Sequence, residues 1–242
     1  ECIPALDADV AKRLRKVLEK QGVEFYMQSA VKKIADGCVT FERKGKEQSI
    51  EADKVLMAVG RKPNVDGLGL ENTSLNYDVR GIEVDDNMQT NVPGVFAIGD
   101  VNARMMLAHA ATMQGLHAIN HIVGIADDIR LDIMPAAIFT NPEAACVGKT
   151  EEQLKAEGVD IEIRKKNYRT NGRALAMAET EGMIKLIADA KSGEILSCHA
   201  YGAHSANIVQ EISTLMCKRT TVQQLHEMVH IHPTLNEMLQ EI

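Results

Sequence analysis

The stretch MIKLIADAKSGEILSCHAYG, residues 183–202, decides the fold of the second half of the chain. Its apolar runs MIKLIAD and EILSCHAYG flank the turn-forming residues Ala190-Lys191-Ser192-Gly193. Apolar runs joined by a short glycine-containing turn are typical of neighbouring antiparallel strands. Because helical stretches and the alternating run VDIEIRK surround this hairpin, residues 125–242 are predicted to form an antiparallel α+β domain.

Capping residues mark the helices of this half. Thr150 with Gln153, and Thr221 with Gln224, follow the pattern in which two side chains satisfy the first backbone N–H groups of a helix. Residues 205–218 place apolar side chains at helical spacing. All three stretches are therefore predicted to be helical.

The first half begins with a helix and a hairpin. Asp7 is a good N-cap and Gly22 a good stop for the apolar helical pattern between them. VEFYM (23–27) is predicted to be a strand. The alternating runs CVTFE and QSIEA, joined at Lys44-Gly45-Lys46, predict a hairpin.

Two further apolar runs indicate a parallel sheet. KVLMAVG (54–60) and VFAIGD (95–100) are unbroken apolar runs, as expected for strands that are buried on both faces. Residues 105–123 then form a long, mostly apolar helix that Gly124 stops. The first half is therefore predicted to be an α/β piece.

Composition argues against several classes of function. The 242 residues carry 27 basic and 34 acidic side chains, a net charge of -7, so a nucleic-acid surface is not expected. No apolar run approaches the roughly 20 residues needed to cross a bilayer. The start, ECIPALDADV, lacks the basic and apolar segments of a signal peptide. No membrane association is expected.

The cysteines point to a reducing compartment. There are five, and none forms a CxxC or CxxxxC pair, so neither a zinc site nor a local redox disulfide is indicated. We expect free thiols in a cytoplasmic protein, some of them buried as small apolar side chains.

The tail HIHPTLNE (230–237) carries the residues best suited to proton transfer. Histidine has an unperturbed pKa of about 6.5, so it exchanges protons near neutral pH. A carboxylate at Glu237 that accepts from one ring nitrogen of His232 would fix the tautomer. Two other interpretations stay open. Thr234 and Glu237 also match a capping box, and His230 with His232 also resembles a metal pair, although no third ligand is evident.

Five motifs in order resemble one family. They are VGRKPN (59–64), TNVPGVFAIGDV (90–101), MLAHAA (106–111), FTNPEAACVG (139–148) and HIHPTLNE (230–237). Together they resemble flavin-dependent pyridine nucleotide–disulfide oxidoreductases, and most closely the dihydrolipoamide dehydrogenase branch of that family. The resemblance extends from end to end of the chain.

The chain lacks three motifs with which this family begins. Neither GxGxxG segment, for FAD or for the nicotinamide cofactor, is present, and the CxxxxC redox disulfide is absent. The resemblance therefore implies a C-terminal part: 1–66 from the NAD-binding domain, 67–124 from a return segment of the FAD-binding domain, and 125–242 as the interface domain. The predicted fold class is α/β, with incomplete Rossmann-like NAD/FAD pieces followed by an α+β dimerisation domain with an antiparallel sheet.

The resemblance also assigns roles to site residues. His232 would be the base that takes a proton from a dithiol, oriented by Glu237, and the His232–Pro233 bond would be cis. Asp100 would bind a ribityl hydroxyl of FAD, although a strand-end cap is the alternative. The flavin's pyrimidine edge would lie against Met106, Leu107, Ala108 and His109. Gly60 and Val31 would lie near the nicotinamide cofactor, the alternatives being a turn glycine and a core side chain.

The implied function is oxidation of dihydrolipoamide to lipoamide with NAD+, through FAD, in a homodimer that shares its active sites. The dihydrolipoamide would be carried on an acyltransferase or carrier protein. This chain would supply the base, part of the FAD site and the dimer surface, and by itself would be inactive and hold neither cofactor stably. Two alternatives stay open: an isolated, non-catalytic dimerisation module, and a related glutathione-type or mercuric-type reductase.

Overall fold

A computed structural model describes residues 1–242, which divide into two compact units. One unit combines Glu1–Leu56 with Pro135–Ile242, and the other is Met57–Met134. The segment boundaries expected from the family resemblance, after residues 66 and 124, stay a prediction.

The structure contains six α-helices and ten strands. The helices are α1 (Ala8–Lys20), α2 (Ala108–Val123), α3 (Glu151–Ala156), α4 (Gly172–Ala176), α5 (Ser205–Met216) and α6 (Val222–His226). The strands are β1 (Ser29–Ala35), β2 (Cys38–Arg43), β3 (Lys46–Glu51), β4 (Tyr77–Asp78), β5 (Gly81–Ile82), β6 (Ala136–Ile138), β7 (Ala144–Gly148), β8 (Ile161–Asn167), β9 (Met183–Asp189) and β10 (Ile195–Tyr201). Short 3-10 helices occur at Leu70–Asn72, Gly99–Asn102, Tyr168–Thr170 and Asn236–Leu239. No helix combines the length and apolar character needed to span a bilayer.

The larger unit is built on a five-stranded antiparallel sheet in the order β6-β7-β10-β9-β8. The hairpin predicted around Ala190–Gly193 is confirmed, because β9 and β10 pair with His199 opposite Lys185. Helix α5 packs on β7 and β10. The capping boxes predicted at Thr150 and Thr221 are both formed.

Helix α1 belongs to the same unit and packs against this sheet. Its buried residues Val10, Leu14 and Val17 share one apolar cluster with Met183 and Tyr201. The predicted N-cap is confirmed, since the Asp7 carboxylate accepts from the backbone N–H of Asp9 at 3.4 Å. The apolar face of α1 therefore contributes to the core of the antiparallel domain.

A buried ionic cluster joins α1 to the sheet. Lys185 is fully buried, and its ammonium lies 2.6 Å from Asp7, 3.0 Å from Asp9 and 2.6 Å from Glu151. The second oxygen of Asp7 accepts from the Glu151 backbone N–H at 2.9 Å. The buried His199 Nδ1 accepts from the Asp7 backbone N–H at 3.1 Å. One lysine thus holds the starts of α1 and α3 on the sheet.

The three-stranded sheet β1-β2-β3 confirms the hairpin predicted at Lys44-Gly45-Lys46. The strand predicted at 23–27 is wrong: β1 begins at Ser29. Its partner β2 ends at Arg43, which lies opposite Ser29, so the earlier residues have no strand to pair with. Tyr26 instead packs edge-on against Phe41, with ring centroids 5.1 Å apart.

The buried parallel strands predicted at 54–60 and 95–100 are also wrong. Residues 54–60 form no strand, and Leu56 and Val59 are 88% and 87% exposed. Around Phe96 there is only an isolated bridge to Gln89, and Gly99–Asn102 is a 3-10 helix. A parallel strand needs neighbours beside it and helices on its faces, and no strand of this chain pairs in parallel. The predicted long helix is formed, starting at Ala108 and ending with Gly124 in a left-handed conformation.

Candidate active site

The structure brings the predicted pair His232 and Glu237 together. Nδ1 of His232 lies 2.6 Å from Oε2 of Glu237, and the His232–Pro233 peptide bond is cis. The histidine side chain is 80% exposed, whereas the carboxylate is 14% exposed. An exposed imidazole is therefore fixed by a carboxylate that is largely shielded from solvent.

Electrostatics decide which ring nitrogen is basic. The hydrogen bond from His232 holds the pKa of Glu237 below its usual value, so this carboxylate is ionised at neutral pH. An ionised carboxylate only accepts hydrogen bonds, so the proton of the neutral ring lies on Nδ1. Nε2 then carries the free lone pair. The arrangement can take a proton from an acid that approaches the exposed ring.

Of the two hydrogen bonds of a capping box, the tail forms one. The Glu237 backbone N–H donates to Oγ1 of Thr234 at 3.2 Å, as in a capping box. The reciprocal bond is replaced, because the Glu237 side chain turns to His232 instead. Thr234 thus shapes the turn, while the glutamate carboxylate orients the imidazole.

His230 holds this loop through hydrogen bonds to protein oxygens and is not part of a group of possible metal ligands. It is 7% exposed, and its Nε2 lies 2.8 Å from Oε1 of Glu211 while its Nδ1 lies 3.1 Å from the Met228 carbonyl. No group of three or more His, Cys, Asp and Glu side chains in the chain could hold a metal ion. Both ring nitrogens of His230 are occupied by protein oxygens.

Sequence patterns did not identify two other residues that hold this loop. Glu211, on α5, also accepts from Nδ2 of Asn236 at 2.6 Å. Asn171, at the start of α4, donates to the Thr234 carbonyl at 3.0 Å and to Oε1 of Glu237 at 3.2 Å. Neither residue lies in a local motif with His232, so no spacing signal marks them.

The predicted FAD ligand Asp100 lies in the smaller unit. Its carboxylate is 38% exposed and lies 2.8 Å from a guanidinium nitrogen of Arg61. Amide groups fix the backbone beside it: the buried Gln114 accepts from the Gly99 N–H at 2.8 Å and from the Asn102 side chain at 2.9 Å. The 3-10 turn that carries Asp100 is thereby tied to α2.

Gly99 allows the 3-10 turn that carries Asp100 to lie close against α2. Its φ is +74°, and a Cβ there would lie 3.1 Å from the Ala111 side chain. Together with the amide bonds, it lets the backbone before Asp100 pack directly on α2.

The start of α2 fits the group that the family resemblance implies. Its N-cap, Leu107, provides no side-chain hydrogen bond, while Ala108 and His109 begin the first turn on the surface. Uncapped N–H groups at a helix N-terminus favour negative charge and acceptor atoms. An exposed carboxylate and the N-terminus of α2 therefore fit a flavin with hydroxyl donors and an electron-rich ring edge. Met106 and Leu107 are half-buried.

The two positions predicted to lie near the nicotinamide cofactor, Val31 and Gly60, belong to different units of the structure. Val31 is 60% exposed on β1, and Gly60 has a φ of +101° with no atom within 4 Å of a Cβ placed there. Their roles stay predictions.

Two family models cover most of the chain. Residues 134–242 match the dimerisation domain of the pyridine nucleotide-disulphide oxidoreductases, and residues 1–115 match a pyridine nucleotide-disulphide oxidoreductase domain. A dihydrolipoyl dehydrogenase of Corynebacterium glutamicum is 39% identical over 99% of this chain and 53% of its own length. That of Bacillus subtilis is 38% identical over 100% of this chain and 53% of its own length. The chain thus spans about half the length of the curated relatives it matches.

Solved structures agree with these matches. LpdA from Mycobacterium tuberculosis superposes with a TM-score of 0.88 at 27% identity, over 98% of this chain and 52% of that protein. The flavoprotein disulfide reductase RclA from Escherichia coli shares the fold, with a TM-score of 0.85 at 24% identity over 99% of this chain and 56% of its own. The predicted class, α/β pieces followed by an antiparallel dimerisation domain, is confirmed by these likenesses. The chain belongs to the pyridine nucleotide-disulphide oxidoreductase family.

Proposed function

We propose that the chain is the C-terminal part of a dihydrolipoamide dehydrogenase, which oxidises dihydrolipoamide with NAD+ to lipoamide, NADH and a proton. The observation that carries the proposal is the exposed His232 ring held by Glu237 at 2.6 Å. The similarity to dihydrolipoyl dehydrogenases, at 39% identity over nearly the whole chain, supports the choice of substrate.

The pair supplies the proton transfer that this reaction needs. A thiol with a pKa near 8.5 is mostly protonated at neutral pH, whereas the thiolate is the nucleophile in disulfide exchange. Nε2 of His232 takes the thiol proton, and the ionised Glu237 stabilises the imidazolium that results. FAD, when bound, would supply two-electron transfer between the dithiol side of the reaction and NAD+. Asp100 and the first turn of α2 would hold it.

The complete protein acts as a homodimer in this proposal. The match of residues 134–242 to a dimerisation domain supports it. Val229 and Ile231, which precede His232, are 96% and 79% exposed, as expected for apolar side chains that a partner subunit covers. A cytoplasmic location is part of the proposal, and five cysteines without a disulfide favour it. The dihydrolipoamide is carried on an acyltransferase or carrier protein.

A substrate comparison tests the proposal. The complete protein, purified with its flavin, is assayed with dihydrolipoamide and NAD+, and in parallel with oxidised glutathione and a reduced nicotinamide cofactor. We expect turnover only with dihydrolipoamide. A preference for oxidised glutathione would contradict the proposal and favour the alternative function, that of a glutathione-type reductase.

A further inference from the structure

The side chain of Asn171 makes three hydrogen bonds from a buried position next to the candidate active site. It is 3% exposed and caps α4, because its Oδ1 accepts from the Ala174 backbone N–H at 2.9 Å. Its Nδ2 donates to the Thr234 carbonyl at 3.0 Å and to Oε1 of Glu237 at 3.2 Å. The three partners fix the amide orientation, since rotation by 180° would place its oxygen against two acceptors and its NH2 against a donor.

The Glu237 carboxylate is thereby held at both oxygens. Oε2 lies 2.6 Å from Nδ1 of His232, and Oε1 accepts from Asn171. A carboxylate is a rigid planar group, so a donor on one oxygen fixes the direction of the other. The bond to the Thr234 carbonyl also holds the turn between the histidine and the glutamate.

We propose that Asn171 is a positioning residue, which fixes the Glu237 carboxylate and, through it, the His232 ring. The inference rests on the proposed function, in which His232 removes the thiol proton. Asn171 itself touches neither substrate nor the reacting atoms; its effect passes through Glu237. An amide is the side chain that both caps a helix and donates to two oxygens from one point.

The competing explanation is that Asn171 only caps α4. The two roles separate in the variant Asn171→Asp, because aspartate is as good an N-cap as asparagine but cannot donate to Glu237 when ionised. It also adds a negative charge beside Glu237 and the Thr234 carbonyl. Because the added charge by itself moves the acid limb of the pH profile, kcat is compared above that limb: a pure capping role predicts the parent kcat there, whereas a positioning role predicts a lower one.

The test uses the complete flavin-containing enzyme with dihydrolipoamide and NAD+. We expect Asn171→Asp to lower kcat about tenfold or more with little change in KM, because a misplaced base impairs the chemical step. The added negative charge stabilises the imidazolium, so the acid limb of the kcat/KM profile should move up by about one pH unit. The flavin content should match the parent, while the melting temperature should fall, because the buried aspartate faces the Glu237 carboxylate and the Thr234 carbonyl. Asn76→Asp, on an exposed residue of the other unit, is the matched control and should change nothing.

A second variant covers a failure of the first to fold. Asn171→Ser keeps a capping oxygen, adds no charge and lacks the amide that reaches Glu237. We expect a similar loss of kcat without the upward shift of the acid limb. Parent-like kcat and pH profiles in a folded variant would overturn the inference.

A failure of the inference is distinguishable from a failure of the proposed function. If the parent enzyme oxidises dihydrolipoamide and His232→Gln abolishes it, while both Asn171 variants stay parent-like, only the positioning role is wrong. If the parent does not oxidise dihydrolipoamide, the proposed function is wrong. If the parent does and His232→Gln stays active, the assignment of His232 as the base is wrong, and the positioning role of Asn171 is overturned with it.

Discussion

Glu211 accepts from Nε2 of His230 at 2.8 Å, and the other oxygen of the same carboxylate accepts from Asn236 at 2.6 Å. His230 and Asn236 stand before and after the turn that carries His232. A single side chain of α5 therefore ties the two ends of the loop to the antiparallel domain. The exposed imidazole of His232 therefore lies on a loop whose two ends are held in place.

Replacing Glu211 should loosen this loop. In Glu211→Ala both carboxylate oxygens are lost, so Nε2 of His230 and Nδ2 of Asn236 lose the acceptor that they share. We expect the free energy of unfolding to fall by about 1–3 kcal/mol, the range for a lost hydrogen bond to a charged group. Denaturant unfolding measures the loss, and hydrogen exchange should be faster at residues 229–236. Glu227→Ala, at the exposed residue that follows α6, is the control; equal effects of both changes would contradict the role of Glu211 in holding the loop.

Lys185 should be a major determinant of stability. Lys185→Met keeps the length of the side chain but leaves Asp7, Asp9 and Glu151 without their shared cation. Removing one partner of a buried ionic group costs about 3–5 kcal/mol, because the remaining charges stay desolvated. Lys165→Met is the matched control, since that lysine is 39% exposed and pairs with Asp9 alone, a loss of about 0–1 kcal/mol. Similar unfolding midpoints for the two variants would refute the assignment.

Stability should decrease as the pH falls below about 6.5. Burial lowers the pKa of His199, and its Nδ1 accepts a hydrogen bond, so the folded state keeps this ring neutral. The unfolded state binds the proton first as the pH falls, so acidification favours unfolding. One such group contributes a slope of up to about 1.4 kcal/mol per pH unit between the unfolded and folded pKa values.

The variant His199→Asn isolates this contribution. Asparagine offers an oxygen to the Asp7 N–H but takes up no proton near neutral pH. Urea unfolding between pH 7.5 and 5.5 should therefore give a shallower dependence for the variant than for the parent. Identical slopes would show that another histidine is responsible.

The cysteines should differ sharply in reactivity. Cys146 and Cys198 are buried and Cys217 is exposed, and burial raises the pKa of the Cys146 thiol to about 11. The thiolate is the reactive form, so a thiol reagent should label Cys217 in the folded protein and the other two only after denaturation. Mass spectrometry of the labelled peptides measures this. Rapid labelling of Cys198 under native conditions would contradict the described packing.

The sequence predicted structure best where short-range chemistry determines it. The capping boxes at Thr150 and Thr221 and the turn at Ala190–Gly193 depend on residues within a few positions, and all three are formed. The apolar runs at 54–60 and 95–100 do not form the predicted strands, because an apolar run becomes a buried strand only when neighbouring strands exist to pair with it.

The candidate site divides in the same way. His232 and Glu237 are five positions apart in one short motif, and the resemblance of that motif to the family indicates them. Asn171 reaches Glu237 across 66 positions and Glu211 reaches Asn236 across 25, contacts that only the fold creates. Side chains that hold a base in place leave no periodic or local signal.

The central claim is that His232 takes the thiol proton, and turnover of His232→Gln tests it most directly. Glutamine retains a similar shape and a donor toward Glu237 but has no basic nitrogen. In the complete enzyme with dihydrolipoamide and NAD+, we expect kcat to fall by about 100-fold or more while flavin content stays at the parent value. A variant with bound flavin and unchanged turnover would contradict the account.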